Sequence, residues 1–315
     1  MSEPVTLLLD VPSGWSGHWA GPLREYLPHA RLIGQEDAAA EAARIDYLVT
    51  FRPRKGLLVS LANLKAVFCL GAGVDGILAD PDFPRDLPLM RFVDRSLSRE
   101  LAQYVVMHVL IFHRGQRYFD AAQAMNKWRQ RPLVRRTEDT RIGILGLGEI
   151  GTMCAERLRD LDFVVTGWSR SRKSVAGVES FAGAGELAPF LARSDILVCL
   201  LPLTAETLGI LNAKTFALLP KGAFVINAAR GGHLVEADLV DAIDRGHLAG
   251  ATLDVFQHEP LPAESVLWNH PKITVTPHIA AITDPRAAAR AISEGVAAIE
   301  RGEPAPHRVD IARGY

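Results

Sequence analysis

The chain has 315 residues, 48% of them hydrophobic, enough for roughly two domains of about 150 residues each and for a sizeable core. Its 35 basic and 36 acidic residues leave a formal charge of -1 and a pI near 6.8, so no global field draws it to nucleic acid or to an anionic membrane. The longest apolar stretches, near Val105 to Phe112 and Ile196 to Leu201, fall well short of the ~20 residues a membrane helix requires.

At the amino terminus, Glu3 and Asp10 flank the run Val5 to Leu9 without a basic n-region, so this segment reads as a first strand and not as a signal peptide. Further β-rich runs are Arg31 to Ile33, Tyr47 to Phe51, Ala66 to Leu70 and Leu89 to Phe92. Ser98 to about Trp128 has no proline, little glycine and apolar residues at Leu101, Val105, Val109 and Phe112, which predicts one long helix leading from one sheet to another. The basic stretch Arg129 to Arg136 reads as an exposed connection. A second set of strands follows: Arg141 to Leu145, Phe163 to Gly167, Ile196 to Leu200, Ala223 to Asn227, Thr252 to Val255 and Ile273 to Thr276. Pro285 opens a last helix to about Arg301, with proline at a tolerated first-turn position after Thr283 and Asp284.

Strands alternating with helical stretches predict βαβ units and parallel sheets. The expected fold is therefore α/β, with two doubly wound parallel-sheet domains. The boundary near residue 100 and a last helix that crosses back give one domain of residues 101–283 inserted in another formed by residues 1–100 and 284–315. Cys69, Cys154 and Cys199 are widely spaced among apolar neighbours, as reduced core cysteines are, and favour a cytoplasmic setting. His233, His247, His258 and His270 read as surface or loop histidines, and His108 and His113 as packed or capping ones. None has metal-ligand spacing, so no metal is expected.

The segment Arg141 to Gly151 runs from a strand into Gly146-Leu147-Gly148-Glu149-Ile150-Gly151 and then into the helical Thr152 to Leu161. The first glycine permits the tight turn, the second lets backbone approach a pyrophosphate, and the third lets helix and strand pack closely. The helix amino terminus adds unpaired N–H groups. An NAD site supplies Asp or Glu about 20 residues into this unit for the ribose 2′-hydroxyl. Nothing from Phe163 to Val178 is acidic, and the strand ends in Trp168-Ser169-Arg170-Ser171-Arg172-Lys173. These hydroxyls and cations suit a 2′-phosphate, with Arg170 available to stack on adenine, which favours NADP (NADPH) and leaves NAD as the alternative. A solvated basic turn is the other reading of the same residues.

Three polar residues stand after apolar runs: Arg230, Glu259 and His278. Open α/β sheets bind ligands beyond the carboxyl ends of their strands, and a cation, a carboxylate and an imidazole gathered there suit reduction of the keto group of an acid. Taken singly, each also reads as a loop cap, a turn residue before Pro260 or a hydrogen-bonded strand-end histidine.

The residues resemble the D-isomer-specific 2-hydroxyacid dehydrogenases, and within them the glyoxylate/hydroxypyruvate reductase A type. The resemblance spans nearly the whole chain through Leu70-Gly71-Ala72-Gly73-Val74-Asp75, the Gly146 to Gly151 loop, Trp168 to Lys173, Leu200-Leu201-Pro202-Leu203-Thr204, Asn227-Ala228-Ala229-Arg230-Gly231, Leu253 to Phe256, His258-Glu259-Pro260, Pro277 to Ala281 and Asp310 to Tyr315. It implies a two-domain fold, a Rossmann dinucleotide-binding domain inserted in a flavodoxin-like substrate domain, with the active site in a cleft closed by hinge motion, and a homodimer. It also implies that Arg230, Glu259 and His278 are the catalytic Arg, Glu and His, that Asp254 lies near the nicotinamide, with Leu201, Pro202 and Ala228 also on the cofactor side, and that the backbone of Gly71 to Val74, helped by Arg52, holds the substrate carboxylate. The subgroup carries Trp where Phe51 stands, and is rich in methionine and glutamine where this chain has Arg95, Leu97 and Glu100.

The expected reaction is NADPH-dependent reduction of a small 2-keto acid to the 2-hydroxy acid. Arg230 bridges carboxylate and carbonyl oxygen, His278 donates the proton, and Glu259 pairs with His278 and orients its ring. A reductase for a bulkier 2-keto acid of the D-lactate type, and a nucleotide-sensing regulatory protein on the same fold, are the alternatives.

Overall fold

A computed structural model describes residues 4–130, 135–312 and 314. Residues 131–134 of the basic stretch, Glu3, and Arg313 and Tyr315 of the carboxyl-terminal motif lie outside the described residues. The chain forms two compact units, Met1–Leu97 with Thr283–Tyr315, and Ser98–Ile282.

In the first unit β1 (Thr6–Asp10), β2 (Arg31–Ile33), β3 (Tyr47–Thr50), β4 (Ala66–Cys69) and β5 (Leu89–Met90) pair in parallel in the order β2-β1-β3-β4-β5. This is the flavodoxin-like strand order. The strands are apolar on both faces because both are covered. Leu8, Leu48 and Val67 pack with Leu57, Ile77 and Val309 on one side. On the other, Gly295 of the helix Pro285–Glu300 sits so close to Phe68 that a Cβ there would lie 2.6 Å from the ring. Asp284 caps that helix by accepting the Arg286 N–H at 3.0 Å, and Ser293 donates to the carbonyl that ends the helix Ser16–Tyr26.

In the second unit β6 (Arg141–Leu145), β7 (Val164–Ser169), β8 (Glu179–Ala182), β9 (Ile196–Cys199), β10 (Ala223–Asn227), β11 (Leu248–Leu253) and β12 (Ile273–Val275) form one parallel sheet ordered β12-β11-β10-β9-β6-β7-β8. The chain starts at the central β6, builds outward through β7 and β8, then returns to β9 on the other side. The switch point therefore falls between β6 and β9, the Rossmann arrangement. One face packs Leu145, Leu197, Val225 and Leu253 with Phe216, Leu239 and Ile243. The other packs Ile142, Val165, Val198 and Ile226 with Val105, Val109, Cys154 and Leu158. All three cysteines are buried and outside any disulfide, and among the described residues no helix is long and apolar enough to cross a membrane.

At the amino-terminal edge of this sheet Asp195 accepts hydrogen bonds from Arg141 Nε at 2.9 Å, Nη2 at 2.8 Å and the Arg141 backbone N–H at 3.0 Å. It also pairs with Arg135 at 2.7 Å. Burial pushes this carboxyl up, but the hydrogen bonds from Arg141 and Arg135 more than reverse that, and it lies below the ordinary carboxylate value.

Three details depart from the sequence expectations. The helix expected from Ser98 to Trp128 is two helices, Arg95–Arg114 and Gln116–Ala124, because Gly115 takes φ 69° and ends the first in a left-handed conformation. β8 was not expected: Glu179-Ser180-Phe181-Ala182 has a single large apolar side chain, and it occupies the sheet edge beside β7. β11 starts at Leu248, ahead of Thr252, since Gly250 with φ 158° sits where a Cβ would lie 2.4 Å from the Lys272 carbonyl.

Candidate active site

Because every strand of the second sheet is parallel, the residues following β6, β7, β9, β10, β11 and β12 emerge at one edge. These are Gly146 to Gly151, Arg170 to Lys173 after the terminal Ser169, Leu201 and Pro202, Ala228 to Arg230, Asp254 leading to Glu259, and His278. The structure thus brings together at one edge of this unit all the residues expected for cofactor and for catalysis. The expected substrate contacts lie in the first unit, again at strand carboxyl ends: Arg52 after β3 and Gly71 to Val74 after β4.

The three glycines of the loop differ in what surrounds them. Gly146 has φ 105°, and a Cβ there would meet the Leu200 carbonyl at 2.8 Å, across the switch point. A Cβ at Gly151 would lie 1.8 Å from the Gly146 carbonyl, whereas one at Gly148 would meet nothing within 4 Å. Gly148 is also the residue preceding the helix Glu149–Arg159, so open space lies in front of that helix end. Leu147 is buried.

In the basic turn, Ser169 donates to the Ser171 carbonyl at 2.8 Å and Lys173 N–H donates to Ser180 Oγ at 3.0 Å, so the turn is braced against β8. The Arg172 guanidinium donates to the Ser180 carbonyl and pairs with Glu186. Part of its charge is therefore met inside the protein. Arg170, Ser171 and Lys173 are exposed.

Glu259 is held at both oxygens: Oε1 accepts the Phe256 N–H at 2.9 Å, and Oε2 lies 2.8 Å from His278 Nδ1. Burial pushes the Glu259 carboxyl up. The hydrogen bonds from His278 and Phe256, with the nearby charges of His278 and Arg230, outweigh it and hold the carboxyl below its ordinary value. A carboxylate at Nδ1 leaves Nε2 as the ring nitrogen able to face a ligand, and the His278 side chain is 47% exposed.

His278 has φ 55°, a left-handed conformation that costs a non-glycine residue of order 1 kcal/mol or more. Asp254 holds it there. The His278 N–H donates to the Asp254 carbonyl at 2.8 Å, and the Asp254 carboxylate accepts Ile279 N–H at 2.9 Å, Ala280 N–H at 2.9 Å and Thr276 Oγ1 at 2.6 Å. Tyr104 OH lies 2.6 Å from the same threonine oxygen, and Tyr104 packs with Ala228 and Ala280, tying the end of β10 to the histidine turn. Asp254 is 1% exposed; its carboxylate is a scaffold for the loop that presents His278.

Arg230 ends the turn after β10. Asn227 builds that turn, its Oδ1 accepting Ala229 N–H at 3.2 Å and its Nδ2 donating to the Arg230 carbonyl at 3.0 Å. Arg230 Nη1 donates to the Ala229 carbonyl at 2.8 Å. A Cβ at Gly231 would lie 1.8 Å from the Phe256 backbone, so the arginine turn is pressed against the segment leading to Glu259.

His233 corrects a sequence expectation. It is not a surface or loop-exposed histidine but is wholly buried, since its two ring nitrogens find partners in the Arg230 and Pro202 backbones. Thr276 and Tyr104, which support Asp254, were likewise not singled out.

In the first unit the Gly71 N–H points at Cys69 Sγ at 3.4 Å, and the Cys69 thiol lies 3.5 Å from the Gly73 carbonyl. Arg52 packs along Gly76, where a Cβ would touch its side chain at 3.4 Å. Phe51 packs edge-on against Trp15 and Trp19, with ring centroids at 6.2 and 5.6 Å.

A Rossmann sheet whose glycine turn shares one edge with an arginine and a carboxylate-held histidine defines a dinucleotide-dependent dehydrogenase class. Residues 106–280 match the family model for the D-isomer specific 2-hydroxyacid dehydrogenase NAD binding domain. The chain is 44% identical over 316 aligned positions to a glyoxylate/hydroxypyruvate reductase A of Klebsiella pneumoniae subsp. pneumoniae, covering 99% of this chain and 100% of that one. It is similar to the crystal structure of an NADPH-dependent glyoxylate/hydroxypyruvate reductase from Sinorhizobium meliloti in complex with NADP and sulfate, with TM-score 0.93, 38% identity and 100% of both chains covered. It is also similar to a D-isomer specific 2-hydroxyacid dehydrogenase from Xanthobacter autotrophicus Py2 in complex with NADPH and MES, with TM-score 0.92 and 39% identity, covering 99% of this chain and 100% of that one. The chain belongs to the D-isomer specific 2-hydroxyacid dehydrogenase family.

Proposed function

We propose that this protein is an NADPH-dependent reductase of small 2-keto acids of the glyoxylate and hydroxypyruvate type. The observation that carries the reading is the 2.8 Å contact between Glu259 and His278 at strand ends shared with Arg230 and the glycine loop. The second unit is assigned to the dinucleotide and the first to the substrate.

The residues present fit the cofactor. The space that a Gly148 Cβ would enter is open and fronts a helix amino terminus suited to a pyrophosphate. Ser169 to Lys173 supply hydroxyls and cations without an acid for a 2′-phosphate, and Leu201, Pro202 and Ala228 border the same edge. NADPH supplies the hydride when bound. Arg230 orients the acid through its planar fork and polarises the carbonyl. His278 gives a proton from Nε2 to the carbonyl oxygen while Glu259 fixes Nδ1. Arg52 and the N–H groups of Ala72, Gly73 and Val74 are assigned to the substrate carboxylate; the Gly71 N–H is engaged by Cys69.

Gly148→Ala is expected to leave thermal unfolding nearly unchanged, because its Cβ meets no protein atom within 4 Å, yet to weaken NADPH binding about 10-fold or more by filling the phosphate approach. Gly151→Ala is expected to destabilise the fold by about 1–3 kcal/mol through contact with fixed backbone. Fluorescence titration and thermal melts distinguish them, and full NADPH affinity in the Gly148 variant would contradict the assigned cradle.

The overall reading is tested by steady-state rates for glyoxylate, hydroxypyruvate, pyruvate and phenylpyruvate with NADPH and NADH. The two smallest acids should lead, and kcat/KM should favour NADPH by about 10-fold or more, the worth of one charge-assisted contact to the 2′-phosphate. No oxidation of NADPH by any acid would leave a nucleotide sensor as the function. A homodimer is proposed as the assembly, with support from the exposed Met107, Met125 and Trp128 in and after the helices following residue 95. The three reduced cysteines support a cytoplasmic setting.

A further inference from the structure

We infer that His233 is a positioning residue that ties the setting of the catalytic arginine to the setting of the cofactor, an inference that rests on the reductase reading. No part of the reaction needs a second histidine, yet His233 is fully buried among the second-unit strand ends. It closes the short turn Gly231–His233 that follows Arg230. Its Nε2 lies 3.2 Å from the Pro202 carbonyl, and its Nδ1 lies 3.2 Å from the Arg230 amide nitrogen and 3.1 Å from the Arg230 carbonyl.

The network assigns the ring protons. A carbonyl can only accept, so Nε2 carries the proton given to Pro202. The Arg230 carbonyl already accepts from Asn227 Nδ2 at 3.0 Å and from the His233 backbone N–H at 3.2 Å. Nδ1 is thus the acceptor for the Arg230 N–H. One imidazole therefore holds two turns that are 28 or more residues apart in sequence, the turn after β9 at Pro202 and the turn after β10 at Arg230. The Pro202 carbonyl has a second donor, Thr207 Oγ1 at 2.7 Å, while Gly209 N–H donates to the Gly232 carbonyl and Leu211 N–H to the His233 carbonyl, at 2.9 and 2.8 Å. The ring is the side-chain link in a backbone seam joining these loops.

The two links can be cut separately. In His233→Asn the amide oxygen stands near the Nδ1 position and keeps an acceptor for Arg230, while the donor to Pro202 is lost. In His233→Gln the amide nitrogen reaches the Nε2 position and keeps the donor to Pro202, while the Arg230 N–H loses its acceptor. His233→Gln is expected to bind NADPH within about 3-fold of wild type but to lose about 10-fold or more in kcat/KM for the keto acid, as for an unmet buried donor. His233→Asn is expected to keep kcat at saturating NADPH within about 3-fold and to weaken NADPH binding about 10-fold. His233→Ala should show both losses.

Binary NADPH titration, keto-acid kinetics at saturating NADPH and thermal melts of the three variants decide the matter. Opposite defects in the Asn and Gln proteins establish the two-sided role. Parallel losses, or wild-type behaviour in both, overturn it and reduce His233 to core filling. A wild-type protein that binds NADPH and reduces no 2-keto acid refutes the reductase reading and with it the Arg230 side of the inference; an active wild type with indistinguishable variants refutes the inference alone.

Discussion

His278→Asn is expected to lower kcat for glyoxylate reduction about 1,000-fold, within the range for loss of a general acid, while NADPH affinity and thermal stability stay close to wild type. Asparagine is chosen because His278 sits at φ 55°, and Asn tolerates the left-handed conformation better than Ala does. Its side chain is too short to deliver a proton where Nε2 stands. The Asp254 contacts to the 278–280 backbone do not involve the imidazole, so the loop should keep its shape. Stopped-flow single-turnover measurements locate the loss in the chemical step. Near-normal turnover by this variant would remove His278 from the reaction.

Arg230→Lys is expected to lower kcat/KM for the keto acid about 100-fold, although the charge is conserved. The proposed task needs a planar fork that meets carboxylate and carbonyl oxygen together, and an ammonium is a point charge that cannot do so. Losing one preorganised donor of this kind costs about 3 kcal/mol, a factor of 100 or more. The turn itself is built by Asn227 and by the Gly231 packing against Phe256, so the variant should fold. Product formation over a range of keto-acid concentrations separates a rise in KM from a fall in kcat. A change below about 3-fold in kcat/KM would mean that Arg230 is only a turn residue.

Much of the site was legible because parallel sheets leave a simple trace: an apolar run, then a polar residue at the strand's end. Arg230, Asp254 and His278 follow that rule directly, and the glycine loop follows from strand, turn and helix in sequence. What escaped depends on partners distant in the chain. His233 follows two glycines and precedes Leu234, as a surface turn would, and its burial depends on partners that include the Pro202 carbonyl, distant in the chain. Glu179 to Ala182 lacks the apolar run that marks a strand and owes its place to pairing with β7. Gly115 interrupts a helical pattern that its neighbours continue, and isolated glycine is often carried within helices. Glu186 meets Arg172 from a segment that the composition of the basic turn does not announce.

The Asp195 clamp on Arg141 and Arg135 lies at the amino ends of β6 and β9, and the residues proposed to react lie beyond the carboxyl ends of the same sheet. Robustness and reactivity are thereby addressed through different residues. Changes that reinforce the clamp edge can raise the melting point without entering the shell of His278 or Arg230, so the trade between rigidity and activity that burdens many enzymes can be relaxed here by working on the far rim of the sheet.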